Sequence, residues 1–277
     1  MTHPCTPLTF CASHLEIHMK TYLSFWLGAA LLIGTLAGCN KEDDNDDTTP
    51  TPTPTPTSGT VEVNFRAEWD DQPFAIGTTY ADPDNRPMLV ETFKAYLSDV
   101  SLIKTDGTPV LIEDIDLVNF NNGATYSQTI PNGEYIGIRF GIGVPAELNT
   151  GQDPAQYPSS HPLSVEASES MFWTWNSGYI FSKFEGKVAL DNDPNNMIHP
   201  YAFHIGTDNY YLEIERPISI TVSNNTTSFD VVFDVARFLT GPDDTINLAI
   251  DNITHTMGNM PLANRFNILF SNSIRVE

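Results

Sequence analysis

The stretch EYIGIRFGI, residues 134 to 142, alternates strictly enough to name its own backbone conformation. Tyr135, Gly137, Arg139 and Gly141 fall on one face, and Ile136, Ile138, Phe140 and Ile142 on the other. A period of two marks a strand with one buried face. Val61 to Phe65 and Thr92 to Ile103 repeat it, and Pro109 to Ile115 pairs back as a hairpin across Thr105-Asp106-Gly107. Further strands are expected at Tyr179 to Leu190, Tyr201 to Ile205, Tyr210 to Ile214, Ile218 to Val222 and Ser228 to Phe233. Turn chemistry separates them, at Pro131-Asn132-Gly133, Asp191 to Asn196 and Ser223-Asn224-Asn225. Helical patterns are few: one turn at Val235 to Leu239 and a short helix at Leu262 to Phe270. Many short strands punctuated by Gly, Pro and Asn predict an all-β domain over residues 61–277, an antiparallel β-sandwich with long loops and a short C-terminal helix. The proline-rich stretch from Gly143 to Ser170 is the longest such loop, and loops of that length are usually functional.

The front of the chain reads as export machinery. Lys20 precedes an apolar run, Leu23 to Leu36, that is shorter than the roughly 20 residues a bilayer span needs. A charged start, a short apolar core and small residues before a cleavage point make a secretory signal. Its ending, Leu36-Ala37-Gly38-Cys39, resembles a bacterial lipobox, so residues 19–38 are expected to be removed and Cys39 lipidated. Residues 1–18 then look like an upstream start. Of three cysteines, Cys39 alone would remain, and neither a disulfide framework nor a thiolate site is available. The acidic cluster after Cys39 resembles the surface-export signal of Bacteroidota lipoproteins. The Thr-Pro repeat from Thr48 to Thr57 is extended and semi-rigid. Residues 39–60 therefore form a stalk that holds the domain off an outer membrane, surface-exposed or facing the periplasm.

Thirteen Lys and Arg against 35 Asp and Glu give a net charge of −22. Such a surface repels phosphate backbones, which excludes nucleic acid as the ligand. The nucleophile elbow, P-loop, dinucleotide fingerprint and H-E-x-x-H motifs are all missing, so no enzyme is expected.

Candidate ligands are correspondingly few. The expected domain has four histidines: His161 in the long loop, His199 beside Pro200, His204 in the strand Tyr-Ala-Phe-His-Ile-Gly, and His255. A strand histidine serves either as a satisfied structural residue or as a ligand. His255 differs in having Met257 and Met260 nearby in a polar setting. Imidazole with thioether is a soft donor set that favours Cu(I), while two methionines packing a loop is the plainer alternative. Asp191 to Asn196 offers oxygens for calcium but lacks the glycine and distal glutamate of an EF-hand loop. The run MFWTWNSGYIFSKFEG, residues 171 to 186, concentrates Trp173, Trp175, Phe172, Tyr179, Phe181 and Phe184. Either a buried strand pair or a site that needs an indole explains it.

Five stretches in order resemble the MbnP-like copper-binding family: FKAYLSDVSLI (93–103), GEYIGIRFGIGVP (133–145), HPLS (161–164), the tryptophan run (171–186) and YAFHIG (201–206). The resemblance implies extracytoplasmic copper binding on a β-sandwich. It implies a tryptophan oxidised to kynurenine that binds Cu(I) with two histidines, and a dihaem peroxidase-like partner that performs the oxidation. His204 matches the family's Phe-His-x-Gly stretch, and His161 matches the loop before the tryptophans. One position departs: where some relatives carry histidine two residues after the modified tryptophan, this chain has Trp175. The expected ligands are His204 and His255, with His161 as the alternative, Met257 beside them, and Trp173 or Trp175 as the modified residue. A surface glycan-binding module that stacks sugars on exposed rings is the competing reading. Exposure separates the two, because a buried indole beside a histidine speaks for metal.

Overall fold

The computed structural model describes residues 57–168, 170–173 and 178–277. Cys39, the signal, nearly all of the stalk and Trp175 lie outside them. In chain order the strands are β1 (Ser58–Trp69), β2 (Gln72–Pro73), β3 (Thr79–Ala81), β4 (Pro87–Lys104), β5 (Pro109–Asn119), β6 (Ala124–Pro131) and β7 (Gly133–Ile142). After the helical turn α1 (Ala146–Asn149) come β8 (Phe172–Trp173), β9 (Gly178–Val188), β10 (His199–Gly206), β11 (Leu212–Val222), β12 (Thr227–Asp234) and β13 (Ile253–His255). Helix α2 (Met260–Asn272) and β14 (Ile274–Val276) close the chain.

The architecture is the all-β sandwich that the alternation predicts. One sheet runs β14-β12-β1-β2, with β6 also on β1; the other runs β11-β7-β4-β9-β10-β13, with β3 and β5 on β4 and β8 on β9. Most pairings are antiparallel, but β1 with β12 and β10 with β13 are parallel. Parallel partners need a long crossover, so local alternation gives no sign of them. Inward faces of both sheets meet in one core, with Phe93 of β4 stacked on Phe120 at 4.2 Å and edge-on to Phe238 at 4.9 Å. Helix α2 lies against β10, with Phe266 stacked on Phe203 at 4.6 Å. Asn259 caps that helix by accepting from the Leu262 amide, and Pro261 sits in its first turn.

Two local expectations are corrected. The strict alternation of residues 134–142 breaks at its start, where Ile136 is 48% exposed and Tyr135 is buried. The register steps from Lys104↔Tyr135 to Ile103↔Gly137, so Ile136 is the extra residue of a β-bulge and is turned outward. Residues 210–214 and 218–222 are not two strands: β11 runs unbroken through Pro217, with a register shift between Pro217 and Ile220 that absorbs the proline.

A charge network ties β1 to β12 and to the C-terminus. Arg66 bonds Glu68, Asp230 (2.6 Å) and Glu277 (2.8 Å), while Arg275 bonds Glu68, Asp71 (3.0 Å) and Glu277 (2.7 Å). Burial pushes the Glu68 and Asp230 carboxyls up, but hydrogen bonds and charge from Arg66, with Arg275 also on Glu68, hold both below the ordinary range. Depressed carboxyl pKa values contribute stability above the unfolded-state pKa and lose it as pH falls through the folded-state values. Chemical denaturation between pH 7 and pH 3 is therefore expected to show stability falling below about pH 4.5, the acid limb of carboxylate titration, and Glu68→Gln is expected to flatten that limb.

Candidate metal centre

Four adjacent strands carry the site. Their registers align Phe93, Phe184, Phe203 and Thr254 in one row, and all four are buried. Successive side chains on a strand point to opposite faces. The next row, Lys94, Lys183, His204 and His255, therefore lies on the outer face of the sheet, and Thr92, Glu185, Ala202 and Ile253 lie beside it. The alternation that buries the phenylalanines is what places the two histidines side by side.

His204 and His255 are direct register partners, with ring centroids 4.6 Å apart and planes within 22°. The His204 side chain is 13% exposed, whereas His255, on the edge strand, is open to solvent. Glu185 reaches diagonally from β9 and contacts His204 Nε2 at 2.5 Å. A carboxylate on one imidazole nitrogen fixes ring orientation and raises the basicity of the other, the usual arrangement behind a metal-bound histidine. Nδ1 of His204 then remains for a ligand. That hydrogen bond from His204 is the main cause holding Glu185 below the ordinary carboxylate range. Partial desolvation of the ring, and then the charge of nearby His204, hold the His255 imidazole below its ordinary value.

The donor set selects among ions. Among the described residues no three His, Cys, Asp or Glu side chains gather into a metal cluster. Two imidazoles fall short of the four ligands of a structural zinc site and of the six to eight oxygens calcium takes. Imidazole nitrogen suits copper, as it suits zinc, iron and nickel. Met257 and Met260 are 63% and 54% exposed, so they do not pack a loop against the sandwich.

The other expected residues separate. His161 is held in a local turn, stacked on Tyr157 at 4.4 Å and accepting from the Leu163 amide through Nδ1 at 3.1 Å. In the Asp191 to Asn196 turn, Asp191 and Asp193 accept from the turn's own amides at 2.6 to 3.1 Å, the chemistry of a self-capped turn. The loop after β7 folds into a second apolar cluster, which includes Tyr96, Leu163, Met171, Trp173, Tyr179 and Phe181. Tyr96 and Tyr179 hydroxyls pin it by donating to the Pro162 and Leu163 carbonyls. Asn149 pins the start of β9, accepting from the Tyr179 amide and donating to Asp208. The aromatic run thus divides between two cores, Phe184 joining the sandwich and Trp173, Tyr179 and Phe181 the second cluster. These rings are buried, unlike a sugar-stacking platform.

Trp173 packs against Gly206, two residues past His204. A Cβ at Gly206 would lie 2.5 Å from Cζ3 and 2.8 Å from Cη2 of Trp173, and 2.6 Å from the Tyr179 carbonyl oxygen. Glycine two residues past His204 is what lets the indole lie against the end of β10. Gly206→Ala is expected to push the indole outward at a cost of about 1–3 kcal/mol. A red shift of intrinsic fluorescence and a lower melting temperature are its signatures; an unchanged spectrum would place the indole elsewhere.

Glu185 escaped the sequence reading, although it lies in the aromatic run. Its tie to His204 depends on the β9–β10 register, and no spacing along the chain encodes that. A family model described as MbnP matches residues 58–258, a span that holds His161, Trp173, His204 and His255 and stops before α2. No curated protein matches the sequence. Among solved structures, MbnP from Methylosinus trichosporium matches over 68% of this chain and 79% of its own, at 16% identity and a TM-score of 0.45.

Proposed function

This chain belongs to the MbnP family, and from that premise we propose that it binds copper outside the cytoplasm, as cargo rather than as a catalyst. The observation that carries the reading is the His204–His255 pair on one sheet face, with Glu185 orienting His204. The two imidazoles supply a nitrogen pair for Cu(I), and exposed Met257 offers a soft donor where the ion arrives. Acquisition, storage or handling of copper fits a site that opens at an edge strand. Trp173, set against Gly206, is the indole that oxidation would convert into a further ligand, with Trp175 as the alternative; a dihaem peroxidase-like protein is the proposed oxidant. Lipidation at Cys39 would hold the domain at the outer membrane, with no enzymatic turnover assigned to it.

Anaerobic competition for Cu(I) against a chromophoric chelator tests this. One copper bound with a Kd below about 1 nM, about −12 kcal/mol, is the expected result. If the purified protein does not compete, and protein from its native membrane, with any oxidised tryptophan in place, does not either, the copper reading is wrong. Intact mass of the native protein reports the tryptophan separately.

A further inference from the structure

An unusual backbone conformation follows directly on each of the two strands that carry the histidine pair. Eight non-glycine residues among those described have positive φ; five are Asp or Asn, which tolerate it. The other three are Ser170, Thr207 and Thr256. Ser170 precedes the Met171–Trp173 segment, Thr207 directly follows β10, and Thr256 directly follows His255. A β-branched residue at positive φ is an outlier that persists only where its surroundings impose it. Thr256, at φ 55, is fully buried.

Hydrogen bonds explain why a threonine tolerates that conformation. The parallel ladder between β10 and β13 ends at His204↔His255. Beyond it, the Thr256 hydroxyl takes over the link, donating to the His204 carbonyl at 2.9 Å and accepting from the Gly206 amide at 2.9 Å. One side chain thus brackets Ile205, directly after His204, and is anchored at the residue next to His255. The left-handed turn lets the hydroxyl reach back, and the same turn carries the chain on towards α2.

We propose that Thr256 is the positioning residue of the histidine pair: its hydroxyl clamps the end of β10 to the residue after His255, so the two imidazoles stay stacked before any metal arrives. The inference rests on the copper reading only for its second readout. Three variants test it in the whole protein. Thr256→Val keeps the shape and deletes the hydroxyl. Thr256→Gly deletes the hydroxyl while relaxing the left-handed strain, so it answers even if the valine variant does not fold. Thr256→Ser keeps the hydroxyl.

In metal-free wild type, imidazole rings 4.6 Å apart give a ring-proton nuclear Overhauser cross-peak between His204 and His255. The glycine and valine variants are expected to lose that cross-peak and to weaken Cu(I) binding by about 10- to 100-fold, while the serine variant retains both. In Thr256→Gly the loss comes without a matching fall in melting temperature. Persistence of the cross-peak in the glycine variant, or an affinity that merely tracks the melting temperature, overturns the proposal. A wild type that shows the cross-peak, with variants that lose it, but that fails to bind Cu(I) both as purified and as native-membrane protein would refute the copper reading and leave the clamp standing.

Discussion

Replacing His204 and His255 together with alanine abolishes tight Cu(I) binding, and either single replacement weakens it by more than the ~10–100-fold that loss of an outer-shell partner costs. The magnitude follows from the small donor set. Two imidazoles make up the proposed nitrogen set, so removing one halves it, and no cluster of three or more His, Cys, Asp or Glu forms among the described residues. The two singles are expected to be unequal. His204 is mostly buried and held by Glu185, so its loss also leaves a carboxylate without its partner. His255 sits on the open edge strand, and its loss removes a donor with little structural cost. His161→Ala serves as the internal control: its ring stacks on Tyr157 in a separate turn, and affinity is expected to stay at the wild-type level. Competition titrations of all four variants decide the matter. A double variant that still holds copper tightly would move the site away from this sheet face.

Legibility of the sequence divides along a physical line. Period-two runs made β1, β4 and β7 legible, because burial of one face acts on each strand locally. The C-terminal helix was legible for the same reason, through the apolar face that Phe266 and Phe270 bury. Pairings were not legible. β13 is three residues long and joins β10 in parallel from about fifty residues away, so nothing near Ile253 announces a strand. His204 and His255 could be named singly from their surroundings, but their contact, the Glu185 support and the Thr256 clamp all arise from register between distant segments. Gly206 stands between the two cases. Its place after Phe-His-Ile was visible in the chain, and only the packing of Trp173 against it shows why a side chain is excluded there.

Phe93→Ala is expected to destabilise the domain by about 3–5 kcal/mol while leaving the copper affinity of the folded protein unchanged. Phe93 is 1% exposed, and its ring meets Phe120 at 4.2 Å, Phe238 at 4.9 Å, Phe270 at 6.0 Å and Phe233 at 6.1 Å. These partners come from the opposite sheet, from α2 and from the connections between elements, so no single neighbour can swing in to fill the void. Domains of this kind are stable by only about 5–15 kcal/mol, and the loss corresponds to a melting temperature lowered by about 6–20 °C. The site should be spared because of strand geometry. Phe93 belongs to the inward row with Phe184 and Phe203, whereas Lys94, Lys183, His204 and His255 occupy the opposite face, held by ladder hydrogen bonds that do not involve the ring. Titration well below the melting midpoint isolates the folded fraction. If affinity falls there as well, core packing rather than register sets the spacing of the imidazoles, and the explanation of the site by strand alternation fails with it.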